Sequence, residues 1–355
     1  MSPSDALVSV LRANQGMASD LLGSIAGEPI ASHEVVAEAE LTGHPGAQGD
    51  KLIPTFFYRT RSGRTAEITV FVKRSSERGP SEAHHYAYLA RHAAPIPRMY
   101  GSATDAQGRE IVFLEHLDKV LAEEDFAGEP GAAGRFLALL ARFNSIAVER
   151  PYAEKLHRFD LGGMVLQQTP TLEELAHHAP SGRLGSRCKQ LFANTEAVLN
   201  RLQQRAGALA QAAGKMEMGL VHGDYFPRHV GCRSGSDELL TFDLAHTQSA
   251  ARFFDVAPFV GMPKGRSPLG LAAEKAALDY LAAYNEIAAA RISMEQFLKE
   301  ARDVWLAWNL RRLGWYLGPA LGRAGSRNTG SGDEAAAEQK RRDLCELLEA
   351  ILAGS

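Results

Sequence analysis

The hydrophobic pattern of the chain changes from an alternating period to a helical period at about residue 118. Before this point, short segments such as EVVAEAEL, IPTFFYRT and AEITVFVK carry apolar residues in the two-residue period of strands. After it, longer segments such as GRFLALLARFNSIAVE and LAAEKAALDYLAAYNEIAAA repeat apolar residues at helical spacing. Strands in one part of a chain and helices in the other predict an α+β fold with segregated layers.

The same change of period predicts two domains. The 355 residues exceed what a single hydrophobic core usually serves. We predict an N-terminal lobe over residues 1–117, with a leading helix at 4–24, a five-stranded sheet and one further helix. A larger helical lobe is predicted over residues 118–355, and its Gly/Ser-rich segment 322–334 is predicted to be a mobile loop.

Composition excludes several classes of protein. The chain is 45% hydrophobic and 23% charged, as is typical of globular proteins, and its net charge of -3 gives no basic footprint for nucleic acid or an anionic membrane. The three cysteines, Cys188, Cys232 and Cys345, are too widely spaced to indicate a disulfide framework or a zinc site. The first residues show no export signal, and no run of 18 apolar residues occurs. We therefore expect a cytoplasmic protein with small-molecule partners, of unknown oligomeric state.

Two aspartates follow two short apolar runs in the second half of the chain. Asp224 lies in LVHGDYFPRHVGC, Asp243 follows LLTF, and the turn CRSGSDE lies between them. This pattern predicts a β-hairpin that presents two carboxylates. Such a pair can perform general acid–base chemistry or hold a divalent cation, although each aspartate can equally satisfy backbone amides near a turn.

A lysine and a glutamate stand at the junction between the third predicted strand and the next helix. Lys73 ends AEITVFVK, and Glu82 begins the helix after Ser81. A lysine at the end of an apolar strand is costly to bury without a partner, so the pattern favours a lysine that faces an anion and is held by Glu82. A solvated strand end is the alternative interpretation of Lys73.

Together and in this order, these motifs resemble the aminoglycoside phosphotransferase and choline kinase family, over residues from about 35 to 320. HGDYFPRH resembles the catalytic loop, LLTFDLAH the metal-binding segment, and IVFLEHL the hinge segment that meets adenine. Asp255 in RFFDVA resembles an aspartate that braces the site through hydrogen bonds. The resemblance implies a bilobal protein-kinase-like fold and an ATP-dependent enzyme that phosphorylates a hydroxyl group of a metabolite or natural product.

The resemblance also implies roles for the residues of the catalytic loop and the metal site. Asp224 accepts or orients the substrate hydroxyl, and Asp243 holds Mg²⁺ against the phosphates. His222 belongs to the catalytic set through packing and hydrogen bonding of the loop. Arg228 either contacts substrate or phosphate or is solvated.

A second set of residues is implied to bind the nucleotide. Lys73 neutralises the phosphates and Glu82 keeps its head aimed at them. The hinge residues in the nucleotide-binding set are Phe113, Glu115 and His116. The glycine-bearing loop at residues 42–49 either lies close to the ligand or is an ordinary hairpin connection.

His229 departs from the family pattern, because asparagine is expected five residues after Asp224. Imidazole nitrogen is a poorer ligand for Mg²⁺ than an amide oxygen, so His229, as a second metal ligand beside Asp243, predicts a preference for Mn²⁺. Alternatively, His229 only hydrogen-bonds the loop. The departure favours a second function, a catalytically weak or inactive pseudokinase-like protein that binds nucleotide and regulates a partner. A third function is phosphorylation of a protein side chain.

An aromatic stripe is predicted in DVWLAWNLRRLGWYLG. Trp305, Trp308, Arg312 and Trp315 follow one another at spacings of 3, 4 and 3, which places them on one face of a helix. This face either packs in the core or lines the acceptor pocket, since aromatic rings hold cations and sugars. The stripe carries no acidic cluster that would suit a polycationic aminoglycoside, which argues against a role in antibiotic resistance.

Overall fold

The computed structural model describes residues 15–40, 50–75, 81–122, 124–128, 131–233, 235–261, 269, 272–288, 290–323 and 334–353. The glycine-bearing loop at 42–49 and most of the segment 322–334 lie outside the described residues, as does the first part of the leading helix. The described residues form two compact units. The first contains those up to Ala122 together with Tyr225–His246, and the second contains the others. The predicted lobe boundary after residue 117 stays a prediction.

The first unit is built on a five-stranded antiparallel sheet, as predicted. Its elements are α1 (Gln15–Ala26), β1 (Ile30–Glu40), β2 (Asp50–Thr60), β3 (Thr65–Arg74), α2 (Glu82–Arg91), β4 (Met99–Thr104) and β5 (Glu110–Glu115). The strand order is β1-β2-β3-β5-β4, and each neighbouring pair is antiparallel. Residues 61–64 join β2 to β3 and residues 105–109 join β4 to β5, so these two antiparallel pairs are local in sequence, whereas β3 pairs with β5 across α2 and β4.

The two faces of this sheet have different roles. Leu52, Phe56, Val70 and Val72 are almost fully buried and pack with Leu22 of α1 in a hydrophobic core. Side chains alternate between faces along a strand, so Lys51 and Lys73, which follow or precede these core positions by one residue, project from the opposite face. The strand register pairs Lys51 directly with Lys73.

Helix α2 begins where the sequence predicts it. Ser81 is extended (φ -67°, ψ 111°), and its side chain accepts a hydrogen bond from the His84 backbone N–H. Such a cap satisfies one of the four free N–H groups at a helix start. Glu82 is thereby fixed as the first residue of α2.

The remaining strands form two small sheets. They are β6 (Lys119–Val120), β7 (Met218–Val221), β8 (Val230–Cys232), β9 (Leu239–Thr241) and β10 (Gln248–Ala251). In the first unit the order is β6-β8-β9, and in the second unit β7 pairs with β10. Two short 3₁₀ turns flank the β8–β9 hairpin. Pro227–His229 lies directly before β8, and Leu244–His246 follows β9.

The prediction that a single hairpin presents both aspartates is wrong. Asp243 follows β9 of the β8–β9 hairpin, but Asp224 follows β7, whose partner is β10. The chain after Asp224 enters the 3₁₀ turn that begins at Pro227 before it reaches β8. The ladder of β7 ends at Val221, before this turn, so the chain that carries Asp224 is not a strand of the β8–β9 hairpin.

The second unit is mainly helical, and the α+β fold class is confirmed. Its helices are α3 (Asp125–Gly128), α4 (Ala132–Asn144), α5 (Arg150–Ala153), α6 (Leu161–Leu166), α7 (Thr169–His178), α8 (Gly185–Leu191), α9 (Thr195–Lys215), α10 (Ala257–Val260), α11 (Ala273–Ile287), α12 (Met294–Arg311), α13 (Leu313–Ala320) and α14 (Glu334–Ala353). A large apolar cluster joins α9, α12 and α14 with the β7–β10 pair. Each helix of the described residues is too short or too polar to span a lipid bilayer.

The predicted aromatic stripe is divided between two helices. Helix α12 ends at Arg311 and α13 begins at Leu313, because the Arg312 N–H turns back to the Asn309 carbonyl three residues earlier. Trp305 and Trp308 pack against the apolar cluster, whereas Trp315 is 42% exposed. The prediction that all of them share one helical face is therefore wrong for Trp315.

Candidate active site

A buried ion-paired cluster lies at the ends of β3 and β9 in the first unit. Lys73 is 5% exposed, and its Nζ lies 2.6 Å from Asp243 Oδ1 and 2.8 Å from Glu82 Oε2. The second Glu82 oxygen, Oε1, accepts a hydrogen bond from the Leu244 backbone N–H at 3.0 Å. The structure thus brings together three residues that the sequence analysis assigned to nucleotide and metal binding.

Charge pairing outweighs burial in this cluster. Burial by itself would lower the pKa of Lys73, but Glu82 and Asp243 reverse this effect and the pKa is raised. Burial would likewise raise the pKa of Asp243, yet Lys73 and Lys51 hold it well below its usual range. Because opposite charges at short distance favour the ionised forms, Lys73 and Asp243 are both charged at neutral pH.

Asp243 has an unusual backbone conformation. Its φ is +63°, in the left-handed region that residues with a Cβ seldom occupy. The backbone before it is fixed, because the Phe242 N–H donates to the His229 carbonyl at 3.0 Å. A backbone conformation of this kind, held in place by the surrounding structure, is typical of ligand-binding sites.

A second lysine, Lys51, also faces Asp243. Its Nζ lies 3.6 Å from Asp243 Oδ2, so each carboxylate oxygen of Asp243 has a lysine beside it. Like charges directly opposite each other on adjacent strands repel, and the carboxylates of Asp243 and Glu82 offset this repulsion. Sequence reasoning missed Lys51, since the register that pairs it with Lys73 cannot be read from the sequence.

His229 lies on the same side of Asp243 as Lys51. Its Nε2 is 3.7 Å from Asp243 Oδ2, and the residue is 9% exposed. This separation is too long for a hydrogen bond but within the span of two ligands on one cation, each about 2.1 Å from it. The ionised carboxylate and the imidazole fit a divalent cation as donors. No group of three potential protein ligands occurs among the described residues, so bound phosphate and water would complete such a site.

In the second unit, Asp255 accepts hydrogen bonds from the backbone of the loop that carries Asp224. Asp255 accepts hydrogen bonds from His222 N–H (2.7 Å), Gly223 N–H (2.9 Å) and Asn144 Nδ2 (3.0 Å). Asn144 in turn accepts from the Tyr280 hydroxyl at 3.1 Å. These contacts agree with the bracing role that the resemblance implied for Asp255. No sequence pattern indicated that Asn144 belongs to the same hydrogen-bond network.

The conformation of the loop explains why glycine occupies position 223 and histidine position 222. Gly223 has φ +82°, a region that favours glycine, and its N–H is directed at Asp255. The His222 side chain is fully buried beside Phe143, and its Nδ1 accepts from the Asp224 N–H at 3.4 Å. His222 therefore packs and positions the loop.

Burial dominates the electrostatics of Asp255. It raises the pKa of this carboxyl to about 6, against the three N–H donors that favour the ionised form, and the charge of Asp224 acts in the same direction as burial. At neutral pH the carboxylate form is favoured, and both oxygens can accept. The loop before Asp224 thus depends on one buried negative charge.

The other predicted site residues lie outside these two groups of contacts. Phe113 is 2% exposed in the core face of the sheet, away from Lys73. Glu115 is paired with Arg233 at 2.6 Å, and His116 Nδ1 is 3.6 Å from Asp118. The guanidinium of Arg228 lies 4.6 Å from the centroid of the Phe226 ring. The roles of Phe113, Glu115, His116 and Arg228 in ligand binding stay predictions.

Comparison with known families identifies the chain. The model of the phosphotransferase enzyme family matches residues 49–297. The protein belongs to this phosphotransferase family. This confirms the resemblance to aminoglycoside phosphotransferases and choline kinases. No curated protein matches the chain.

Solved structures of phosphotransferases and kinases show a similar fold. A putative aminoglycoside phosphotransferase of Ralstonia eutropha has 14% identity and a TM-score of 0.51, with 91% of this chain and 93% of that chain covered. Ethanolamine kinase of Plasmodium vivax has 14% identity and a TM-score of 0.50 (88% and 82% covered). Spectinomycin phosphotransferase in an AMP-bound complex has 11% identity and a TM-score of 0.50 (93% and 95% covered). At these identities the likeness shows a protein-kinase-like fold, and the family supports a small-molecule phosphotransferase.

Proposed function

We propose that this phosphotransferase transfers the γ-phosphoryl group of ATP to a hydroxyl group of a small metabolite or natural product. The observation that carries the proposal is the buried cluster in which Lys73 is held between Glu82 and Asp243. Phosphoryl transfer depends on positioning and charge neutralisation, and this cluster offers a cation for phosphate and a carboxylate for a metal. The AMP-bound state of the spectinomycin phosphotransferase supports a nucleotide as the donor.

Each residue then has a defined task. Lys73 and Lys51 bind phosphate oxygens, and Glu82 keeps Lys73 aimed. Asp243 and His229 would hold Mg²⁺ or Mn²⁺, and the cation, when bound, neutralises charge on the phosphates. Asp224, on the loop braced by Asp255, accepts or orients the hydroxyl of the acceptor. The hinge at residues 111–117 is proposed to receive the adenine.

The second candidate function is a nucleotide-binding regulatory protein with weak or no turnover. The presence of His229 in place of an oxygen ligand favours it, because imidazole is a poorer ligand for Mg²⁺. Both candidates share the nucleotide site, and only turnover separates them.

The proposal is tested by two assays on the same protein. Calorimetry measures ATP binding, and an acceptor panel measures ATP consumption with Mg²⁺ or Mn²⁺. We expect binding and acceptor-dependent consumption in the wild type, and binding without consumption in Asp224→Asn. Binding without consumption in the wild type, with every acceptor, would favour the regulatory protein, and absence of binding would exclude both functions.

Lys51→Met is predicted to weaken ATP binding about 10-fold, because one charged contact to phosphate contributes about 1.5 kcal/mol. Lys51→Arg should retain most of the affinity. The matched control is Arg59→Met, which removes an exposed cation from the same strand. Calorimetric dissociation constants for the three variants test this role. Equal values for Lys51→Met and the control would show that Lys51 does not contact the nucleotide.

His229→Asn is predicted to reverse the metal preference. With a nitrogen ligand beside Asp243, the wild type should be more active with Mn²⁺ than with Mg²⁺, and the asparagine variant should favour Mg²⁺. The ratio of kcat/KM with the two metals is the measurement. The same ratio in both proteins would mean that His229 is not a ligand.

Activity is predicted to fall as the pH drops through about 6, the pKa of Asp255. Above this pH both oxygens of the carboxylate accept from the loop, whereas below it one oxygen carries a proton and meets an N–H donor. The pH profile of kcat tests this, with His229→Asn as the control for histidine titration. If the acidic limb disappears in His229→Asn, it belongs to the imidazole and not to Asp255.

A further inference from the structure

Arg311 is an arginine whose guanidinium has no carboxylate partner in the described part of the second unit. It is the last residue of α12, and its Cζ lies 4.0 Å from the ring centroid of Trp308 and 5.2 Å from that of Phe159. Within the described residues, its guanidinium makes one hydrogen bond, from Nη1 to Met164 Sδ at 3.6 Å. Its Nε is buried and has no hydrogen-bond partner among these residues.

Arg312 adds a second cation to the same aromatic surface. Its Cζ lies 4.5 Å from the Trp315 ring centroid and 5.6 Å from that of Trp308. Among the described residues, neither Arg311 nor Arg312 has a carboxylate within 4.0 Å. Lys340 lies 3.4 Å from the Trp315 centroid, and its own carboxylate, Asp343, is 3.8 Å away. Among the described residues of this surface, positive charge therefore exceeds negative charge.

Ordinary structural roles explain only part of this arrangement. Cations are favourable at the C-terminal end of a helix and over aromatic rings, which accounts for the sign of the charge. These roles leave the buried Nε of Arg311 without an acceptor. Burial and the neighbouring charge of Arg312 also lower the pKa of Arg311. Nη2 of Arg311 and the guanidinium of Arg312 also make no hydrogen bond within the described residues. An oxyanion accepts paired hydrogen bonds from donors of this kind.

The aromatic surface under Arg311 is joined directly to the loop that precedes Asp224. Phe254 packs on Trp308 and Phe159, with centroid distances of 4.8 Å and 5.2 Å. The next residue, Asp255, accepts the backbone hydrogen bonds of the loop. Phe254, which packs on Trp308, and Asp255, which holds the catalytic loop, are thus neighbours in the chain and lie in the same unit.

We propose that Arg311 and Arg312 bind an oxyanion, either a carboxylate or a phosphate group, carried by the acceptor substrate. Oxyanion binding by this pair stands by itself, while its assignment to the acceptor rests on the proposed phosphotransferase function. The acceptor class is then a hydroxylated metabolite with a negative group, which agrees with the absence of an acidic cluster in the sequence around Trp305–Trp315.

Tryptophan fluorescence gives a local readout of this site. The three tryptophans of the chain are Trp305, Trp308 and Trp315, and the arginines stack on two of them. Sodium phosphate and, separately, sodium acetate are titrated into the full chain at ionic strength held constant with sodium chloride. We expect a saturable change in emission, and the stronger of the two titrants identifies the group as phosphate or carboxylate. No saturable change with either salt would overturn the proposal.

Variants assign the binding to the arginines. Arg311→Met and Arg312→Met are each expected to weaken the titration at least about 10-fold, and Arg311→Lys to weaken it less, because lysine keeps the charge but loses the paired donors. Arg183→Met removes an exposed arginine of the same unit and should leave the titration unchanged. Circular dichroism checks that each variant is folded. If one of the two methionine variants does not fold, the other still tests the site. Wild-type affinity in a folded Arg311→Met or Arg312→Met variant would refute the site.

A kinetic comparison tests the assignment to the acceptor. For a pair of acceptors that differ only in the negative group, Arg311→Met should raise KM about 10-fold or more for the charged acceptor and leave KM for the neutral one unchanged. Equal effects on both would separate the oxyanion site from the acceptor. ATP binding by Arg311→Met should match the wild type. A failure of the phosphotransferase proposal, seen as absence of ATP binding in the wild type, is thus distinguishable from a failure of this site.

Discussion

Asp243→Asn is expected to reduce the rate of phosphoryl transfer on the order of 1,000-fold, which corresponds to about 4 kcal/mol of transition-state stabilisation. Asparagine keeps the shape of the side chain but removes the charge that Lys73, Lys51 and a metal ion would share. The fold should persist, because Lys73 keeps its contact with Glu82 at 2.8 Å. The measurement is kcat/KM for ATP consumption with the best acceptor from the panel.

The control for this variant is Asp237→Asn. Asp237 is an exposed aspartate in the β8–β9 turn of the same unit, and its replacement should leave the rate within about twofold of the wild type, as is usual for surface substitutions. A folded Asp243→Asn variant with wild-type kcat/KM would show that Asp243 is not part of the catalytic site.

Asp255→Asn is expected to lower the free energy of unfolding by about 2 kcal/mol, the cost of leaving buried N–H donors without an acceptor. The carboxylate accepts from three N–H groups, whereas an amide has a single acceptor oxygen and directs its own N–H donors at the others. The loop before Asp224 should lose its position, so activity should fall with stability. Denaturant unfolding at neutral pH measures the first effect and kcat the second.

Glu154→Gln is the control variant for this experiment, because it also replaces a carboxylate with an amide. Glu154 forms an exposed ion pair with Arg150, and such pairs contribute little to stability. Its unfolding midpoint should therefore equal that of the wild type. An Asp255→Asn variant with the same midpoint and m-value as Glu154→Gln would contradict the bracing role of Asp255.

The local part of the site follows from the sequence. The alternating pattern of AEITVFVK places Lys73 at a strand end, and Ser81 is a helix cap, so the approach of Lys73 and Glu82 is encoded within ten residues. Their contact at 2.8 Å agrees with that expectation. Strand period and capping chemistry act between near neighbours, which makes them visible in one sequence.

Contacts between distant segments were not predictable in the same way. Lys51 meets Asp243 across 192 positions of the chain, counted as 243 minus 51, and only the register of two strands places it there. Asn144, the last residue of α4, meets Asp255 in a turn 111 positions further along the chain. The pairing of β7 with β10 was likewise missed, because two short apolar runs separated by a turn satisfy the hairpin pattern equally well.

Calorimetric titration of ATP into the wild-type protein, with and without MgCl₂ or MnCl₂, tests the nucleotide site most directly. We predict saturable one-site binding that is strengthened by the divalent cation, and loss of this strengthening in Asp243→Asn. Absence of ATP binding under all these conditions, or equal metal dependence in the wild type and Asp243→Asn, would contradict this prediction.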